Sequence, residues 1–326
     1  LANGTVIAND PADNSITASS LVLDSVREVG LASARLRTNV DDLLVRNSAG
    51  DIYLQEQNGL NLAEFSANRV FDLVLLNVDL TNSAPLLAAD VLRAAANNGD
   101  ITLTGTNQLR DDVAVMGERV EIHNASTLTL IEVNAEDLYL RTQRGVEGDG
   151  PLRVAGLTDI DAQGDVLMDF ATNDFNRVRV TNAVNLTLVD ENAIELLDIN
   201  ASGKVIVRST NAITLNDAVT GGNGVEISSG TGSINQNGDI ATNSGSIVVA
   251  ADKGEVNLDE DARIVANGGS VSIKAGEGDV NMGSDTRIAA HGGDVSIDAA
   301  GSVVVAEVVS SGKVQIIAGG GNVSDG

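Results

Sequence analysis

The chain has 326 residues and a formal net charge of -26, from 46 acidic and 20 basic side chains, with no Cys, no Trp and 2% aromatic against 43% hydrophobic residues. The absence of Cys excludes disulfides, thiolate nucleophiles and zinc–thiolate sites, and the scattered basic residues on an acidic surface make nucleic acid and anionic membranes poor partners. With so few aromatics the core has to come from Val, Ile, Leu and Ala, and the abundance of Gly, Asn, Asp, Ser and Thr between short β-branched runs is turn-and-strand chemistry.

The chain opens at Leu1 without Met and reads as a processed product or a piece of something longer. No signal peptide is recognisable at its start, and no apolar run approaches the roughly 20 residues that span a bilayer. From there, short strands led by Gly, Asn or Asp recur as Gly50-Asp-Ile-Tyr-Leu, Gly99-Asp-Ile-Thr-Leu, Asp137-Leu-Tyr-Leu, Gly164-Asp-Val-Leu-Met, Asn185-Leu-Thr-Leu and Asn211-Ala-Ile-Thr-Leu. Their spacing varies by several residues, so residues 1–220 are predicted to form irregular coils with insertions at the corners. An alternative for this half packs the Leu-rich stretch 84–96, with Pro85 near its start and Val91 as its one β-branched residue, as a short helix against the stack.

From residue 221 to 326 the pattern tightens. Gly245-Ser-Ile-Val-Val-Ala, Gly269-Ser-Val-Ser-Ile-Lys and Gly293-Asp-Val-Ser-Ile-Asp recur 24 residues apart, with Gly254-Glu-Val-Asn-Leu and Gly278-Asp-Val-Asn-Met, then Arg263-Ile-Val-Ala and Arg287-Ile-Ala-Ala, between them. A fixed period in this range marks a stacked architecture. Because strands alternate their side chains between faces, the repeat stacks Ile247 on Val271 on Val295, Val249 on Ile273 on Ile297, Val256 on Val280, Leu258 on Met282 and Ile264 on Ile288 as inward columns. An antiparallel meander cannot return three strands per period in one direction, whereas one turn of winding per period does. The predicted fold is therefore all-β: a parallel β-helix solenoid, right-handed by the crossover rule, with three short strands per coil of about 24 residues in the regular part. About 14 coils at a strand spacing of about 4.8 Å would make a rod of roughly 70 Å. Six Asn-Gly pairs, beginning at Asn3, Asn58, Asn98, Asn223, Asn237 and Asn267, are assigned to corners that need positive φ.

The Gly-[Asp/Ser]-[Ile/Val]-x-[Ile/Leu/Val] strands of residues 221–326, with Asn185-Leu-Thr-Leu-Val-Asp-Glu-Asn-Ala-Ile-Glu-Leu and Asn211-Ala-Ile-Thr-Leu-Asn-Asp-Ala-Val, resemble the β-helical repeat regions of filamentous-haemagglutinin-like proteins and other giant bacterial surface adhesins. The resemblance implies a secreted or cell-surface bacterial segment acting as a fibrous stalk, an adhesin or a matrix component. A non-enzymatic structural fibre or stalk is the leading expectation. An adhesin or glycan-binding module with recognition on the corner loops is the second, and a polysaccharide lyase or hydrolase the third. The expected partners are further copies of the chain, meeting end to end or laterally because both termini read as uncapped coils, and a host surface or glycan.

Candidate sites are sparse. His291 replaces Asn267 in the repeat and reads as a corner residue, while His123 in Val120-Glu-Ile-His lacks the companions a metal site needs. Carboxylate pairs such as Asp41/Asp42 and Asp111/Asp112 are as numerous as a solvated acidic surface predicts, so none is singled out for glycoside chemistry. Calcium is the one ion the acidic corners suggest, since hard cations take several oxygen ligands. The candidates are Asp259, Glu260 and Asp261, and Glu226 in Gly221-Gly-Asn-Gly-Val-Glu-Ile-Ser, a single imperfect copy of a calcium-binding β-roll repeat. No other cofactor is expected.

Overall fold

A computed structural model of the chain describes residues 15–25, 27–67, 69–87, 90–109 and 112–326. The described residues are all-β, with strands from Ser15–Asp24 to Val323–Asp325 and no helix. They divide into two compact units, Leu1–Gly156 and Leu157–Gly326. Each unit is a parallel β-solenoid, and the two together wind about 15 turns.

In the first unit one inward column runs Leu36, Leu54, Leu73, Ala94, Val115, Val133, each paired in parallel register with the next. A second runs Leu60, Leu80, Ile101, Val120, Leu138 on another wall. All are buried. The long strands Asp112–Asn124 and Leu128–Thr142 turn a corner, so that Asp112–Asn124 pairs with Val91–Asn97 through its first half and with Ile101–Asn107 through its second.

In the second unit three walls carry three columns. They are Val166, Leu186, Val205, Val225, Ile247, Val271, Val295; Ile194, Ile213, Ile234, Val256, Val280, Val303; and Ile199, Val219, Ile240, Ile264, Ile288. Val249, Ile273 and Ile297 stack beside the first, and Leu258 on Met282 beside the second. The outward position of the second wall carries an amide ladder, in which Asn281 donates to Asn257 (2.9 Å) and Asn257 to Asn235 (3.0 Å).

Three features differ from the sequence expectation. The helix over 84–96 is replaced by strands Leu86–Leu87 and Val91–Asn97, with residues 88 and 89 outside the described set. The reason is a partner: Leu92, Ala94 and Ala96 fall in register on Phe71, Leu73 and Leu75, and that ladder outweighs the helix propensity of Leu and Ala. The 24-residue period read over 221–326 holds between Ile240 and Ile297 only. It is shorter before, as in Val205 on Val225, and shorter after, as in Val295 on Val314. Most of the extra residues sit at one corner, where 259–262 and 283–286 each separate two strands that Ala306 alone separates in the next turn, and the other two corners shorten by one residue each, from 276–279 to 300–302 and from 291–294 to 311–313.

The Asn-Gly corners also differ. Asn3 lies outside the described residues, and of the other pairs only Asn98 (φ 55°) and Gly224 (φ 140°) adopt positive φ, whereas Asn77, Asp261 and Asp285 do so without a following Gly. Glycine is needed at most of these corners for closeness instead. A Cβ on Gly238 would lie 2.2 Å from the Asp217 carbonyl oxygen of the turn below.

A few polar side chains are buried at corners, where inward-facing amides and carboxylates satisfy backbone groups that the ladder leaves open. In the first unit Asn124 accepts the Leu109 N–H (2.8 Å) and donates to the Leu109 and Ser126 carbonyls (2.8 and 3.0 Å). In the second, Asp190, 1% exposed, accepts the Phe175 N–H at 2.7 Å and the Asn192 N–H at 2.9 Å. Burial pushes its carboxyl up to about 6; the two N–H donors oppose the shift, and the neighbouring Asp174 and Glu191 carboxylates add to it.

Two stability predictions follow from this core. Ile273→Ala, which removes a buried rung, should cost about 2–5 kcal/mol in urea unfolding, while Ser272→Ala on the outward face of the same strand should stay within about 0.5 kcal/mol. For Asp190 the folded carboxyl titrates near 6 and the unfolded one near ~3.9. The folded state therefore holds more protons between those values, and stability should rise as pH falls from 7 through 6, levelling off below about 4. The gain is on the order of 2–3 kcal/mol. Asp190→Asn, which installs the corner amide already used at Asn124, should remove that component of the pH dependence in unfolding curves taken at pH 7 and pH 5.

Candidate functional site

The acidic candidates are not gathered into a cation site. Glu226 lies on the wall strand Gly224–Ser229, where its carboxylate is held by Lys204 at 3.0 Å and Arg208 at 2.6 Å. The hydrogen bond from Lys204, ahead of the remaining charge effects, keeps it below the usual carboxylate range against the opposing effect of burial. Asp259, Glu260 and Asp261 form an exposed corner turn between Val256–Leu258 and Arg263–Ala266, with Asp261 at φ 64°. Among the described residues no group of three or more His, Cys, Asp or Glu is placed to hold a metal ion. Asp41 and Asp42 accept hydrogen bonds from Asn58 and Asn61 of the next turn, and Asp111 lies outside the described residues. His291 is an exposed corner residue.

His123 does have a carboxylate beside it. Arg119, Glu121 and His123 alternate with Val120 and Ile122, so all three face outward on one strand. Glu121 is 2.9 Å from the Arg119 guanidinium and 3.1 Å from His123 Nε2, and Arg119 lies 3.7 Å over the Tyr139 ring. The Arg119 hydrogen bond, then that of His123, holds the Glu121 carboxyl low against the opposing effect of burial. Arg119, Glu121 and Tyr139 satisfy one another, which leaves neither the carboxylate nor the ring face open to a ligand. The i, i+2, i+4 spacing of the three residues was the signal that identifies this group.

A second outward surface of the first unit is not closed in this way. Five successive turns contribute the strands Ile52–Glu56, Val70–Leu76, Val91–Asn97, Asp112–Asn124 and Leu128–Thr142. Their register sets two outward rows side by side: Tyr53, Asp72, Arg93, Ala114, Glu132, and Gln55, Val74, Ala95, Met116, Asn134. Where the rows shrink to Ala95 and Ala114 the wall dips, and the dip is an open cleft of about 210 Å³. Val74, Ala95, Ala114 and Met116 make an apolar floor, with Arg93 and Asp72 at one end and Glu132 and Asn134 at the other.

Two structural devices shape the ends. Arg35 reaches across the Tyr53 turn, its guanidinium 5.9 Å from that ring centroid, to pair with Asp72 at 2.9 Å and donate to the Asp72 carbonyl at 3.0 Å. That pair is largely sheltered, with side-chain exposures of 21% and 14%. It neutralises Asp72 and leaves Arg93, exposed and without an ion pair among the described residues, as the available cation at that end. Tyr53 is pushed above the usual phenol range by burial first and then by the Asp51 and Asp72 charges. At the other end the register slips between Val113 and Ala114, so that Ile131 and Glu132 together oppose Ala114. Such a bulge re-aims a side chain, and here it turns Glu132 to the rim. Gly150 lets the next corner close on the bulge, since a Cβ there would sit 1.8 Å from the Ile131 carbonyl oxygen.

Residues 117–182 match the model of a family described as repeats of unknown function (DUF5649). The match covers about a fifth of the chain and includes Glu132 and Asn134. No curated protein and no solved structure was found to match.

The Arg35–Asp72 brace gives a direct test of how the cleft is built. In a double-mutant cycle of Arg35→Ala and Asp72→Ala read by urea unfolding, the coupling energy should be about 1 kcal/mol, above the value usual for a fully exposed pair.

Proposed function

We propose that this chain is a non-enzymatic structural segment of a secreted or cell-surface bacterial protein, a β-solenoid that supplies length and stiffness. The observation that carries this reading is the parallel ladder within each unit, in which successive turns hydrogen-bond to one another over aliphatic columns. In such a stack stability grows by nearest-neighbour contacts, so length can be extended without redesigning a core. Cross-turn pairs such as Arg46 with Glu64 and Lys204 with Glu226 dress the outer faces, and an acidic, solvated exterior keeps a Val-rich body from aggregating. The resemblance to haemagglutinin-like repeats supports the same placement outside the cell.

Replacing this segment in its parent protein by a solenoid of unrelated sequence and the same number of turns should preserve surface display and fibre length in electron micrographs. Loss of the parent's function with display and length intact would overturn a purely structural role.

A further inference from the structure

We propose that the cleft on the outer wall of the first unit binds a single acidic sugar residue, a hexuronate unit of an anionic glycan. The proposal does not depend on the structural role of the solenoid. The cleft has three parts in a fixed order. Arg93 offers a planar fork of donors with no ion pair among the described residues, the geometry that takes a carboxylate through two parallel hydrogen bonds. Val74, Ala95 and Met116 form a shallow apolar floor that suits the C–H face of a pyranose ring. Across Ala114 stand Glu132 and Asn134; an ionised carboxylate only accepts, and an amide both donates and accepts, which is the set that vicinal hydroxyls require.

Dimensions narrow the ligand. Arg93 and Glu132 are two register steps apart, about 10 Å at the strand spacing, which spans one ring with its substituents. The dip, about 210 Å³ and open to solvent, is of a size to seat one ring, with the rest of a longer glycan lying outside it. Charge narrows it further. Asp72 is already neutralised by Arg35, so the Arg93 end accepts one negative charge, while Glu132 at the opposite end disfavours a second. An inorganic anion would leave the floor uncovered, and a neutral hexose would leave Arg93 without its counter-charge. A monoanionic, hydroxyl-rich ring fits all three parts.

The chain carries its own reporters. Of its three methionines, Met116 lines the cleft and is 39% exposed, whereas Met168 and Met282 are buried in the second unit. With methyl-labelled methionine, glucuronate titrated into the whole chain should shift the Met116 methyl resonance to saturation with a millimolar dissociation constant, leaving Met168 and Met282 unmoved. Glucose and acetate, which each supply half of the recognised chemistry, should bind at least about tenfold more weakly. Arg93→Ala should weaken glucuronate by about tenfold or more, and Ala114→Leu, which fills the dip from an outward position, should abolish the response. Unchanged Met168 and Met282 resonances show in each variant that the second unit is folded, and unchanged unfolding midpoints show that the first is. A Met116 resonance that does not move with glucuronate up to about 100 mM, far weaker than a ~1 mM site, would overturn the proposal. So would equal responses to acetate or glucose, or an Arg93→Ala chain that binds as the parent does.

Discussion

Everything in this fold depends on the hydrogen bonds that each turn makes to its neighbours. No turn is self-sufficient: its N–H and C=O groups point along the stack, and their partners lie one turn away. The ladder spacing of about 4.8 Å then dictates the rest, because side chains at paired positions are forced into contact with their counterparts. Inward positions become continuous aliphatic columns, as from Val166 through Val295. Corner backbones ride directly on one another, which is why glycine is needed where φ is ordinary. Inward polar groups at the corners must find backbone partners nearby in space, as Asn124 does at Leu109 and Asp190 does at Phe175 and Asn192.

The same constraint separates what can vary from what cannot. Walls must preserve register, because a one-residue slip would turn every inward side chain outward. Corners carry no such requirement, and turn length is adjusted there: four residues at 259–262 and at 283–286, one at Ala306. The bulge at Ile131 and Glu132 is an exception on a wall. It adds a residue to one strand without disturbing the inward pairs on either side, Val113 with Leu130 and Val115 with Val133, so its effect falls on the outer surface alone.

This separation explains what was legible in the sequence. Inward columns repeat a simple code of alternating aliphatics led by Gly or Asp, and between Ile240 and Ile297 the corners are equal in length, so the period itself is visible and the rungs can be assigned residue by residue. The stretch 84–96 leaves a helix and strands both open in the sequence because Leu and Ala serve a helix and an inward strand equally well in isolation. Only the register with Phe71, Leu73 and Leu75 decides between them. The cleft was invisible for a related reason: Val74, Ala95, Ala114 and Asn134 become neighbours only when unequal turn lengths have been resolved into pairs. In isolation Glu226 reads as a free oxygen ligand, and only the pairing of its strand with Lys204–Ser209 brings Lys204 and Arg208 beside it.

A site on a wall differs physically from one on a corner loop. Its side chains rise from strands hydrogen-bonded on both sides, so their bases are fixed before a ligand arrives and little ordering entropy remains to be lost on binding. The corresponding limit is size, because a pleated wall offers a dip only where neighbouring outward residues are small, as at Ala95 and Ala114. Since the inward pairs Val113 with Leu130 and Val115 with Val133 hold on both sides of the bulge, such a dip can be made or filled from outward positions while the rungs of the core keep their register. A solenoid whose cores are built for length is therefore free to carry recognition on its outer rows, and the structural role and the acidic-sugar cleft proposed for this chain place no conflicting demands on the same residues.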